Sequence, residues 1–124
     1  MSDVKVKKLS EVAPYSGANS IPGIRFRPLA REMGVSAWGM NVLEIDAGCS
    51  AYPEHDHTKD GQEEVYLVLE GSAKLETGGE KLALEKGSVV RVGPGTKRKF
   101  LPGEKGVTLL AIGATPGKAY EPRR

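Results

Sequence analysis

Only one cysteine, Cys49, occurs in the 124 residues, so no disulfide can form within the chain. None is required, because a domain of this length buries enough surface to fold without staples. No apolar run approaches the roughly 20 residues of a membrane-spanning helix. Met1 to Lys8 alternates charge with valine, unlike the apolar core of a secretory signal. A soluble, cytoplasmic protein of a reducing compartment is expected, without a membrane partner. An excess of charge is also lacking: 18 basic and 16 acidic side chains give a net charge of +2, no electrostatic footprint for nucleic acid. The one dense basic triplet, Lys97-Arg98-Lys99, divides on a strand into two solvated lysines on one face and a single arginine on the other.

What the chain does have is turn chemistry. Sixteen glycines and eight prolines punctuate short β-like runs, with no internal repeat and no linker. Val4 to Leu9 alternates, Ser10 and Glu11 open a brief turn ending near Pro14, and Ile24 to Arg27 alternates strictly. Leu29 to Met33 fits one helical turn before Gly34. Trp38 to Ile45 reads as a longer strand. Glu64 to Leu69 is the strongest strand, apolar on both faces from Val65 onward, so both faces must be covered. Glu70-Gly71 is expected to turn it into Ser72 to Thr77, and Gly78-Gly79 signals a hairpin into Glu80 to Leu84. After a turn at Glu85-Lys86-Gly87 come Val89 to Val92, Arg98 to Leu101 and Val107 to Ile112. The expectation is nine or ten short strands and almost no helix in a closed or double-sheet antiparallel architecture, which removes exposed edges. The tail from Ala114 to Arg124 is expected to lie extended on the surface.

The only two histidines are His55 and His57. Residues i and i+2 of a strand project from one face, so both imidazoles can reach one point. Glu64 opens the next strong strand, and an antiparallel neighbour can bring its carboxylate there. Two imidazoles and a carboxylate suit a divalent transition metal such as Fe, Mn, Ni or Zn. The alternative is that His-Asp-His is part of an exposed polar loop between Glu54 and Lys59.

The wider pattern resembles the cupin superfamily. Its first motif is a glycine, five residues, His-x-His, three or four residues, a glutamate, six residues and a glycine; here Gly48, His55-Asp56-His57, Glu64 and Gly71 follow that order. Its second motif, glycine, five residues, Pro-x-Gly, two residues, histidine, is matched by Gly87, Gly93-Pro94-Gly95 and Arg98. The resemblance implies a small single-domain cupin over 1–124, an all-β antiparallel jelly-roll barrel. Its motif core is 48–98, its N-terminal strands lie within 1–47, and its tail is 114–124. The metal ligands it implies are His55, His57 and Glu64.

This chain departs from the pattern at four places. Six residues separate His57 from Glu64, an extra residue lies between Gly48 and His55, and Gly93 stands where the motif has its first proline. The last histidine ligand is Arg98, and a guanidinium stays protonated and offers no lone pair to a metal. The place of Arg98 in the motif sets it across the barrel from Glu64, where it contacts that carboxylate directly or shares a ligand anion with it. By two-residue parity Tyr66 and Phe100 share the inward face with Glu64 and Arg98, as barrel filling or as walls of a ligand pocket. Arg98, Tyr66, Phe100 and Gln62, at the end of the lengthened loop, are the candidate ligand-binding residues. Gly93-Pro94-Gly95 is a sharp turn rather than a phosphate loop, and Cys49 reads as a small buried hydrophobe.

Three functions are compatible with these residues. The first is a metal-binding cupin, extending to oxygenase or isomerase chemistry at a site of two histidines and one glutamate. The second is a metal-free barrel gripping a small polar or anionic ligand, and the third is a module without a ligand. No general base or nucleophile stands apart from the ligand set, so the sequence names no reaction. The apolar run Val65 to Leu69, with Trp38, Val4 and Ile24, further suggests a homodimer.

Overall fold

Six strands and one helical turn organise residues 3–121, the part of the chain described in the computed structural model. Strand β1 is Ile24–Arg27, α1 is Leu29–Met33, β2 is Gly39–Ile45, β3 is Glu63–Thr77, β4 is Glu80–Glu85, β5 is Val89–Val92 and β6 is Lys99–Ala114. All pairings are antiparallel, along the path β1-β2-β6-β3-β4, with β5 on the first half of β3. The mostly antiparallel β architecture is the expected one. The sheet does not close through strand pairing, since β1 and β4 end the path.

Alternation explains why these segments are strands. On β2, Leu43 and Ile45 join the main core, while Val42 faces the opposite side and meets Val12 and Leu29 in a second cluster. That second cluster includes Leu69 and Leu110, so the N-terminal segment and α1 cover part of the outer face of the sheet. Arg27 fastens the segment by donating to the Val12 carbonyl at 2.7 Å. Helix α1 stops at Gly34, whose φ of 74° suits a left-handed cap.

Four expectations need correction. There are six strands among the described residues rather than nine or ten, because β3 and β6 are long and each absorbs two of the expected runs. Glu70-Gly71 is a bulge and not a turn: β3 continues to Thr77, with register shifts between Val68 and Glu70 and between Gly71 and Ala73. The bulge reverses parity, so Tyr66 and Val68 face the core before it and Ala73 and Leu75 face the core after it. Gly71 has a φ of 75°, and a Cβ there would lie 2.1 Å from the Gly106 carbonyl oxygen, so only glycine fits this bend.

Val4 to Lys8 forms no strand and Leu9–Glu11 is a short 3-10 turn; Val4 and Val6 are exposed, with no strand among the described residues to answer their alternation. The described part of the tail is not simply extended. It turns at Thr115, whose carbonyl accepts from the Lys118 amide, and Tyr120 comes back over Gly39. Residues 122–124 of the tail, like Met1 and Ser2, lie outside the described residues.

Candidate metal centre

The two motif segments meet without forming a regular strand pair. His55 and Arg98 make an isolated antiparallel bridge, the His55 amide donating to the Arg98 carbonyl at 3.2 Å and the Arg98 amide returning at 2.9 Å. Two residues on, the His57 amide donates to the Pro94 carbonyl at 2.8 Å, so the Gly93-Pro94-Gly95 turn is what the histidine segment rests on. Glu64 enters from β3, beside Val92 of β5 and Gly113 of β6. A side chain at Gly113 would press on Glu64 Cγ at 3.1 Å, so the small residue leaves the carboxylate its room.

One potential ligand atom from each of His55, His57 and Glu64 lies within 4.8 Å of the others. His57 Nε2 is 3.2 Å and His55 Nε2 is 3.9 Å from Glu64 Oε1. The outer nitrogens of both rings are engaged. His57 Nδ1 lies 3.1 Å from each carboxylate oxygen of Asp60, and His55 Nδ1 lies 3.0 Å from the Pro53 carbonyl. Carboxylates and carbonyls only accept, so in the neutral rings Nδ1 carries the proton and Nε2 keeps its lone pair. His57 Nε2 is buried and makes no hydrogen bond among the described residues, because its approach to Glu64 lacks hydrogen-bond geometry. Two imine nitrogens and a carboxylate aimed at one point form a donor set that fits a divalent transition metal.

Arg98 is completely buried and directly contacts Glu64, with Nη1 at 3.3 Å from Oε1; Nη2 donates to the Gly93 carbonyl at 2.9 Å. Tyr66 also donates its hydroxyl to Glu64 Oε1. Burial, reinforced by the negative charge that Tyr52 and Glu64 would set against a phenolate, pushes Tyr66 well above the ordinary phenol range. Tyr66 therefore keeps the proton that it donates to Glu64. Burial raises Tyr52 in the same way. Phe100 packs against both tyrosines, with ring centroids 4.7 Å from Tyr66 and 5.4 Å from Tyr52.

The structure thus gathers His55, His57, Glu64, Arg98, Tyr66 and Phe100. Gln62 lies close by: a Cβ at Gly113 would fall 3.1 Å from both Gln62 Oε1 and Glu64 Cγ, and Gln62 also lines a groove with Asp60, Thr115 and Tyr120. Sequence reasoning did not single out Asp60, Thr115 or Tyr52. Asp60 sits on the lengthened loop three residues after His57, and Thr115 holds that loop by donating to the Asp60 carbonyl at 2.7 Å. The extra loop length was the available signal for Asp60. No helix among the described residues is long and apolar enough to cross a membrane.

Comparison with known proteins adds a family. The model for the cupin domain matches residues 41–113. Similar solved structures include a predicted oxalate decarboxylase from Thermotoga maritima, 21% identical with a TM-score of 0.72 over 90% of this chain and 99% of that one. A sugar phosphate isomerase of the cupin superfamily from Silicibacter pomeroyi is 20% identical, with a TM-score of 0.76 over 90% and 77% of the two chains. KdgF from a Halomonas species is 19% identical, with a TM-score of 0.67 over 89% and 88%. At these identities the likeness is one of fold. No curated protein sequence matches.

Proposed function

The chain belongs to the cupin family, and on that premise we propose that it binds a divalent transition metal (Fe, Mn, Ni or Zn) through His55, His57 and Glu64. The observation that carries this reading is the engagement of both Nδ1 atoms, by Asp60 and by the Pro53 carbonyl, which leaves both Nε2 lone pairs facing Glu64. A bound ion would supply Lewis acidity to an oxygen of a small ligand. Arg98 and Tyr66 hold the Glu64 carboxylate in place, and Arg98 also offsets its charge. Elemental analysis of tag-free protein is the test: about one equivalent of transition metal per chain is expected. The double variant His55→Ala/His57→Ala should carry none, and Glu64→Gln should bind more weakly. Stoichiometric metal in the double variant would remove the assignment.

The Arg98–Glu64 contact favours a second reading, a metal-free barrel in which the arginine's charge takes the place of the metal's and the histidines grip a small polar ligand. Under it, wild-type protein supplied with zinc, iron, manganese or nickel takes up none.

The proposal includes a homodimer in a reducing, cytoplasmic setting. Val65 and Val89, on paired strands β3 and β5, and Trp38 beside β2 remain exposed, and a second copy of the chain would bury this apolar surface. Light scattering should give twice the 13.3 kDa chain mass; a particle of single mass at micromolar concentration counts against it.

A further inference from the structure

Beside His55 lies a cavity of about 170 Å³. Its apolar wall comes from Ile24 and Phe26 of β1, Leu43 of β2, Tyr52, and Tyr15 and Ile21 of the segment before β1. Strand register explains why these side chains converge. Phe26 pairs with Leu43, Leu43 pairs with the fully buried Leu109, and Ile24 pairs with Ile45, so the cavity opens on the core face of the sheet.

The outer wall is a built feature. The Tyr15 amide donates to the Phe26 carbonyl at 2.7 Å, which ties the segment to β1. The ring of Tyr15 folds over Gly17, where a Cβ would fall 2.1 Å from its hydroxyl, and that hydroxyl accepts from the Asn19 amide at 3.4 Å. Tyr15 and Phe26 are each about two-fifths exposed, so the cavity is reachable from solvent.

Charge is what this cavity lacks. Among the described residues none of its lining side chains is Lys, Arg, Asp or Glu; Asn19, Ser20 and His55 are its polar side chains besides the two tyrosines. Arg98 does not line it, being fully buried with its guanidinium on Glu64 and Gly93. An anion lying along this wall would lose its hydration with no cationic side chain there to replace it. An apolar cavity of about 150 Å³ already holds a benzene-sized molecule. His55 is the one residue that belongs both to the cavity wall and to the cluster with His57 and Glu64.

We propose that this cavity is where the ligand sits, and that the ligand is an uncharged, single-ring-sized apolar or aromatic molecule with one hydroxyl or carbonyl turned toward His55. This deepens the metal-centre reading and rests on it only for the role of His55. Phosphorylated and dicarboxylate compounds are disfavoured, because the wall offers their charges no basic side chain.

The probe is 4-fluorophenol, followed by fluorine NMR on the full chain in zinc-treated and metal-depleted forms, with inorganic phosphate and oxalate as competitors. Binding by both forms is expected, with no displacement by either anion. Ile21→Trp, which fills the cavity, and Phe26→Asp, which puts a charge in its wall, should each weaken the probe by about tenfold or more. Phe26 and Ile21 lie toward the surface, and circular dichroism establishes that each variant folds; either one suffices for the test. Displacement by phosphate or oxalate overturns the assignment, as does failure of 4-fluorophenol to bind at millimolar concentration, or equal binding by wild type and a folded variant. Probe binding by a protein that takes up no zinc supports the cavity and removes the metal reading; zinc uptake without probe binding does the reverse.

Discussion

Asp60 grips His57 with both carboxylate oxygens 3.1 Å from Nδ1, and its own backbone carbonyl is held by Thr115 from the other end of the chain. The loop that carries it closes on itself, since the Gly61 amide donates to the His57 carbonyl and the Gln62 amide to Asp60 Oδ1. A carboxylate behind a ligating imidazole fixes the ring and raises its basicity. Asp60→Ala should therefore weaken zinc binding by about 10- to 100-fold. Asp60→Asn should fall between the two, because the amide oxygen still accepts from Nδ1 without the charge. Competition against a chelator of known affinity checks both values.

Arg98 should limit how tightly the centre holds a cation, because a buried positive charge faces the same carboxylate. Arg98→His removes that charge and adds a fourth ligand, the third nitrogen donor, so zinc affinity should rise by about tenfold or more. Arg98→Ala leaves Glu64 without its charge partner and should lower stability by about 3 kcal/mol or more. Metal titration and urea denaturation measure the two effects. Unchanged affinity and unchanged stability would show that Arg98 is no part of the centre.

Glu44 gives a pH-dependent contribution whose sign follows from its neighbours. Burial alone would raise its pKa, but Arg27 and Arg25, which approach the same oxygen at 2.9 and 3.0 Å, outweigh it and hold the folded-state value below the ordinary 4.5. Its stabilisation is therefore present above 4.5 and is lost as pH falls through the lower folded-state value. The pair energies for such partly exposed groups are small, about 0.5–1 kcal/mol. Glu44→Gln should be less stable than wild type by that amount at about pH 7, and the difference should shrink once the pH is taken well below 4.5. Thermal melts of the two proteins at both pH values make the comparison.

Two glycines separate backbone strain from collision. Gly71→Ala combines a positive φ with a Cβ pressed against the Gly106 carbonyl, and should cost about 3 kcal/mol or more. Gly78→Ala, at a φ of 54° with nothing within 4 Å, should cost only about 1 kcal/mol. Equal losses in chemical denaturation would mean that the bend at Gly71 is not a close contact.

Local periodicity made much of the site legible. Glu64 and Tyr66 are two residues apart on β3 and so share a face; His55 and His57 have the same spacing, but off a regular strand it is their backbone bonds to Arg98 and Pro94 that hold them together. The same local signals misled elsewhere. A glycine marks a turn and a bulge alike, and Gly71 proved to be the bulge that lets one 15-residue strand keep apolar residues inward on both sides of the bend. Val4 to Leu9 has the alternation of a strand but pairs with no strand among the described residues, and Val4 and Val6 stay in solvent.

The sequence by itself determined the antiparallel β character, the hairpin at Gly78-Gly79 and the shared face of Glu64 and Tyr66 on β3, because those follow from a two-residue repeat and from backbone angles only glycine adopts freely. Tertiary structure alone decided that Asp60 stands behind His57, how Arg98 reaches Glu64 while it also holds the Gly93 carbonyl, and that Tyr15 and Ile21 wall a cavity beside His55. Those contacts depend on how far one segment slides against another before its backbone hydrogen bonds are made. Arg98 and Glu64 are 34 residues apart, and Thr115 and Asp60 are 55 apart. No local pattern carries that register, because it is set by the packing of the whole sheet.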